Sequence, residues 1–172
     1  MSTKISAGAA MPEFELPKVG GGSVKIGGKR DAYQMVVVYR GKHCPVCKSY
    51  LKGLEGLQDK FRSVKTEIVA VSADPVEKAE SEAKEEGWTF PVGHSLSVDQ
   101  MRALGLYVSA PRSPQETDRP FSEPGLFVVN PDGKVQIVDI SNAPWVRPEL
   151  GAVAAGVGRL QELNYPIRGT LE

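Results

Sequence analysis

Two residues dominate any chemical reading of this chain. Cys44 and Cys47 are its only cysteines, and they stand C-x-x-C in "VVVYRGKHCPVCKSYL", residues 36–51. Three chemistries suit two closely spaced thiols: a redox pair, part of a metal clasp, or inert core packing. The stretch runs from a β-branched segment through a short basic turn into a helical pattern, and a C-x-x-C at such a joint is a redox signature. A zinc clasp has to recruit both histidines, His43 and His94, to complete a Cys2His2 set. The chain offers no second closely spaced ligand pair, and adjacent His43 and Cys44 are awkward to seat on one ion. The redox reading is therefore preferred, with His43 as a turn residue that tunes its neighbour and His94 as a loop or strand-end residue.

Placement sharpens the chemistry. Pro45 suits the first position of a helix, which makes Cys44 the N-cap and Cys47 the third helical residue. Unpaired N–H groups of the first turn and the positive end of the helix dipole converge on the cap side chain, so a Cys44 thiolate is stabilised there. Arg40, Lys42 and Lys48 are near in sequence and act in the same direction. Cys47, on the side of Leu51 and Leu54, is expected to be more shielded and to resolve a mixed disulfide formed at Cys44.

The elements that must position this pair alternate in type. "MVVVYR" (35–40) and "TEIVAVSA" (66–73) are continuous apolar runs, as in strands buried on both faces. Between them Val46, Tyr50, Leu54, Leu57 and Phe61 recur at helical spacing. "DPVEKAESEAKEEG" (74–87) reads as a helix with Asp74 as N-cap, Pro75 first, Glu77 completing a capping box and Gly87 at the end. A right-handed βαβ crossover with parallel pairing of the two strands follows. Further on, "FPVGHS" (90–95) is a candidate short strand and "SVDQMRALGLY" (97–107) a helix capped by Ser97. "LFVVNPDGKVQIVDIS" (126–141) is a hairpin turning at "NPDG", and "RPELGAVAAGVGRLQEL" (147–163) a last helix with Pro148 near its start. Residues 108–125 hold Pro111, Pro114, Pro120 and Pro124 with little periodicity. Unstructured segments of that length inside a compact domain are uncommon and usually functional, so 108–123 is expected to act as a lid near the cysteines.

Composition excludes several classes. The 172 residues suit one compact domain that needs no covalent staple, and 21 Lys plus Arg balance 21 Asp plus Glu with no basic block. Nucleic acid is not an expected partner. No apolar run has signal-peptide or membrane-span character, so a cytoplasmic setting without membrane association is the expectation.

In order and spacing, "AMPEFELPKVGGGSVKI", "VVVYRGKHCPVC", "VAVSADPVEKAESEA" and "FVVNPDGKV" resemble the peroxiredoxin-like AhpC/TSA branch of the thioredoxin-fold superfamily. The resemblance implies an α/β thioredoxin-like fold, a central mixed sheet with helices on both faces, as a single domain over 1–172 with an N-terminal extension over about 1–30. It also implies thiol redox catalysis that needs no metal or organic cofactor. Two family features are missing. The hydroxyl residue three before the peroxide-attacking cysteine falls on Cys44, with Cys47 in the attacking place, and the arginine before the "FVVN" strand falls on Pro124. Arg40, Arg112 or Arg119 could replace that arginine. A proline at 124 suits the thioredoxin branch instead, where a cis-proline packs against the C-x-x-C, so a cis Glu123–Pro124 bond is expected.

The site expected from sequence is thus Cys44, Cys47, Pro124 and Arg40, performing thiol/disulfide exchange on a disulfide-bearing protein or small molecule, cleared by a thiol reductant such as a thioredoxin. The enzyme alternative is a thiol peroxidase acting on hydroperoxides through Cys47. The alternative of another class is a redox-sensing or partner-binding module without turnover. Oligomeric state, a homodimer included, stays open.

Overall fold

A computed structural model describes residues 3–171; the first two residues of the expected N-terminal extension and the last residue of the chain lie outside it. The chain opens with an antiparallel hairpin, β1 (Phe14–Pro17) and β2 (Ser23–Ile26). Next come β3 (Tyr33–Val38), α1 (Pro45–Gly56), α2 (Gln58–Ser63), β4 (Thr66–Val71), α3 (Val76–Glu86), β5 (Val92–Gly93) and α4 (Val98–Ala103). A two-stranded ribbon of β6 (Val108–Ser109) and β7 (Phe121–Ser122) precedes β8 (Gly125–Val129), β9 (Val135–Ile140) and α5 (Leu150–Glu162).

The central sheet has the order β5-β4-β3-β8-β9. β3 pairs in parallel with β4, as the crossover rule requires, and antiparallel with β8. The sheet is therefore mixed. Alternation along β3 divides the core: Met35 and Val37, with Tyr39 just beyond the strand, point to α1, α3 and α5, while Val36 and Val38 point to α4 and the N-terminal hairpin. Both cysteines belong to the first layer, with Leu51, Leu54 and Val157. No helix among the described residues is long and apolar enough to cross a membrane.

Three local expectations change. The helical pattern through Phe61 is interrupted after Gly56, where Leu57 leaves helical geometry and its N–H bonds back to Leu54 O. Asp74 does not cap α3. Pro75 occupies the N-cap without a side-chain bond, because the Asp74 carboxylate accepts the Lys42 N–H at 2.7 Å, on the turn that leads to the cysteines. Gly41 in that turn has φ +125°, and a Cβ there would lie 2.6 Å from Asp74 Oδ1, so the position demands glycine. The last helix starts later than expected, at Leu150, capped by the Glu149 carboxylate on Gly151 and Ala152 N–H groups. Arg147 and Pro148 are thereby left outside the helix, with Arg147 reaching Cys47.

Candidate active site

Cys44 caps α1 as the spacing predicts, with its side chain accepting the Cys47 N–H at 3.2 Å. The two cysteines form a disulfide, with Cα atoms 5.3 Å apart, inside the range that a bridge requires. His43 and His94 do not join them as ligands. The His94 ring pairs with Ser95 Oγ, and among the described residues no three His, Cys, Asp or Glu side chains cluster to hold an ion.

The expected difference in exposure between the two thiols is absent, since Cys44 is 1% and Cys47 0% exposed. What separates them is their polar surroundings. Cys44 Sγ meets the backbone N–H of its own helix. Cys47 Sγ accepts from Arg147 Nη2 at 2.7 Å, a charge-assisted contact. The guanidinium stacks over the Tyr50 ring, 5.0 Å from its centroid, and the Tyr50 hydroxyl donates to Pro148 O at 2.6 Å. Burial works against the Arg147 charge and lowers its pKa. Nε and Nη1 of the same group are buried with no hydrogen-bond partner. One cation therefore touches a sulfur while holding two unused donors beside it.

Pro124 lies in the same small cleft, with Tyr50, Arg147 and Pro148. No cis peptide bond occurs among the described residues, so the Glu123–Pro124 bond is trans, contrary to the expectation, and the case for the thioredoxin branch that rested on it falls. Arg40 sits just before the cysteine turn, but its guanidinium is engaged elsewhere. Its Nε lies 3.2 Å from Glu123 Oε2, its Nη2 3.5 Å from Glu116 Oε1, and it covers the Phe121 ring at 4.7 Å. Arg112 and Arg119 pair with the loop's own Glu116 and Asp118 rather than with sulfur. The loop itself does lie beside the site, since Phe121 also meets the His43 ring edge-on at 4.6 Å.

Arg147 was not among the residues that the sequence singled out. The available signal was one arginine interrupting the apolar "NAPWVRPEL" before a helix, with nothing to tie it to a cysteine 100 positions away. A second feature is Glu82 on α3, fully buried with both carboxyl oxygens unpartnered, near Tyr39. Burial first, then Asp74, pushes its pKa up to about 7.

Comparison with known proteins places the chain in a family. The AhpC/TSA family model matches residues 7–138. A putative peroxiredoxin in a rubredoxin operon of Clostridium pasteurianum is 25% identical over 141 residues, covering 75% of each chain. Among solved structures, a peroxiredoxin-like protein from Aquifex aeolicus superposes with a TM-score of 0.78 at 16% identity, over 92% of this chain and 89% of that one. The peroxidoxin BcpB of Mycobacterium tuberculosis gives 0.69 at 20% identity, over 90% and 97%. At these identities the structural likeness is one of fold: a thioredoxin-like α/β sheet.

Proposed function

The chain belongs to the AhpC/TSA family, and on that premise we propose that it is a thiol peroxidase in which Cys47 attacks the hydroperoxide and Cys44 resolves. The Cys47 thiolate attacks the outer peroxide oxygen; the O–O bond breaks, the alkoxide or hydroxide leaves and takes a proton, and Cys47 becomes a sulfenic acid. Cys44 then attacks the Cys47 sulfur, releases water and closes the disulfide. A dithiol reductant of the thioredoxin type restores both thiols by two exchange steps, giving up two electrons. No resident metal or organic group takes part in this scheme.

The observation that carries this reading is the Arg147 contact on Cys47 Sγ. It favours the thiolate at that sulfur, and the two unpartnered donor nitrogens of Arg147, Nε and Nη1, are available to the oxygen on which charge develops. Arg147 thus supplies the cation whose usual place is taken by Pro124.

A second reading has its own support. The Cys44 side chain at the helix N-cap is the thiol that a thioredoxin-type exchange would use first. One pair of variants separates the two. If Cys47 attacks, Cys44→Ser consumes about one equivalent of hydroperoxide rapidly and stops at a trappable sulfenic acid, whereas Cys47→Ser consumes none. If Cys44 attacks, Cys47→Ser instead alkylates faster at pH 6–7 and traps mixed disulfides. Failure of the unmodified protein to turn over with either substrate would favour the module without catalysis.

A further inference from the structure

Both sulfurs of the disulfide are buried, yet reduction requires a thiolate to approach one of them along the S–S axis, so part of the cover must move. Two segments flank the pair. The chain bearing Arg147 is tied down by the Tyr50 to Pro148 hydrogen bond and runs straight into α5. Residues 110–120, between β6 and β7, have no helix or strand of their own, and the ribbon at their base pairs only two residues from each side.

Side-chain polar contacts hold this segment down on both sides. On the cysteine side, Arg40 meets Glu116 and Glu123, whose side chains are each 7% exposed. The Arg112 N–H and Nε brace the Glu116 carboxylate from within the segment, and Ser109 Oγ braces Glu123. On the far side, Lys78 of α3 bonds to Thr117 Oγ1 at 3.2 Å and to Asp118 at 2.9 Å. Phe121, at the segment's end, packs on both Arg40 and His43, the residues that bracket the turn into Cys44.

We infer that residues 110–120 form a gate on the turn that presents Cys44, latched by Arg40 through Glu116 and Glu123, and that this latch sets how large a dithiol can reduce the pair. Small displacements of the cover, with the latch intact, admit a small dithiol; a dithiol carried on a protein of thioredoxin size needs the gate open. In either case the dithiol thiolate attacks one sulfur, the S–S bond breaks, and its second thiol displaces the mixed disulfide. The reductant ends oxidised by two electrons, and Cys44 and Cys47 end as thiols. Arg40 is then a specificity-determining residue that touches neither sulfur. The inference rests on Cys44 and Cys47 being a redox couple and is independent of which of them attacks peroxide.

The test compares reduction of the oxidised protein by dithiothreitol and by reduced thioredoxin, in the wild type and in Glu116→Gln, Lys78→Ala and the double variant. Lys78 is 36% exposed, so its substitution opens the gate from the surface even if Glu116→Gln disturbs folding. Each single change should raise the thioredoxin rate about threefold, and the two together about tenfold, with the dithiothreitol rate unchanged within about twofold. An unchanged or lower ratio of the two rates, or an equal rise in both, overturns the gate while leaving the redox couple intact. If neither reagent reduces the wild-type pair, the redox couple falls, and the gate with it.

Discussion

The two faces of the central sheet are built to different standards. The face under α4 and the N-terminal hairpin is filled by Val36, Val38, Val69, Val71, Phe127 and Val129 with Met101 and Leu104. Its buried amide, Gln34, is satisfied at both ends, accepting from Gly27 N–H and donating to Lys25 O. The opposite face carries the disulfide, a half-buried cation on sulfur, an unpartnered carboxyl at Glu82 and an unpartnered Trp88 Nε1. Unsatisfied buried polar groups cost stability, so the face that holds the disulfide carries a cost that the satisfied Gln34 does not.

The largest effect should come from the apolar face. Phe127→Ala is expected to lower unfolding stability by about 3–5 kcal/mol in urea titration, with alkylation of the reduced thiols unchanged. A comparable change in thiol reactivity would show that the faces are not separable.

On the chemical face, Arg147→Ala should slow hydroperoxide consumption about 100-fold, or about 2.7 kcal/mol, and raise the pH at which the attacking thiol alkylates. Stability should move far less, and Arg147→Lys should restore only part of the rate, since an ammonium lacks the planar fork of donors. An unchanged rate in Arg147→Ala would remove the main support for Cys47 as the attacking residue.

Glu82 sharpens the contrast through pH. Its folded pKa of about 7 lies above the ordinary 4.5, because of burial first, with Asp74 and Glu86 raising it and Lys48 and Lys42 lowering it. Between those values the unfolded chain has lost the proton that the folded protein keeps, so stability falls as pH rises from about 4.5 to 7 and then levels off. Glu82→Gln removes that loss. It should match the wild type near pH 4 and exceed it by at most about 3 kcal/mol at pH 8. Equal stabilities at both pH values would mean that this carboxyl is not a source of stress.

The smallest effect returns to the first face. Ser97 caps α4 in a reciprocal box with Gln100, and Ser97→Ala should cost about 1 kcal/mol without touching any rate.

Much of this architecture is legible in the chain because it depends on local periodicity. The β3–α1–β4 unit, the hairpin of β8 and β9, the Ser97 cap and the cysteine at the head of α1 all follow from patterns within a dozen residues. Asp74 shows the limit. Its position matches an N-cap, but a carboxylate at the head of one helix can equally serve an amide in a neighbouring turn, and only the folded chain brings Lys42 N–H within reach. Pro124 lines a cleft with Tyr50 and Arg147, yet its bond is trans rather than cis, and position in sequence carried no information on that geometry. Arg147 was illegible for a different reason: its contact with Cys47 is made from a segment that α5, beginning only at Leu150, leaves outside the helix.

The three-residue spacing of the cysteines bears on how oxidation depends on protein concentration. Cα atoms 5.3 Å apart in one helical turn keep the second sulfur permanently beside the first. Reactants held in this way behave as if each saw the other at an effective molarity of up to about 10⁵ M or more. Closure of the disulfide is therefore a first-order event that needs no second subunit and no long excursion of the chain. Its half-time should be the same in nanomolar as in millimolar protein, so the oxidised form records exposure to oxidant rather than crowding of the protein with its own copies.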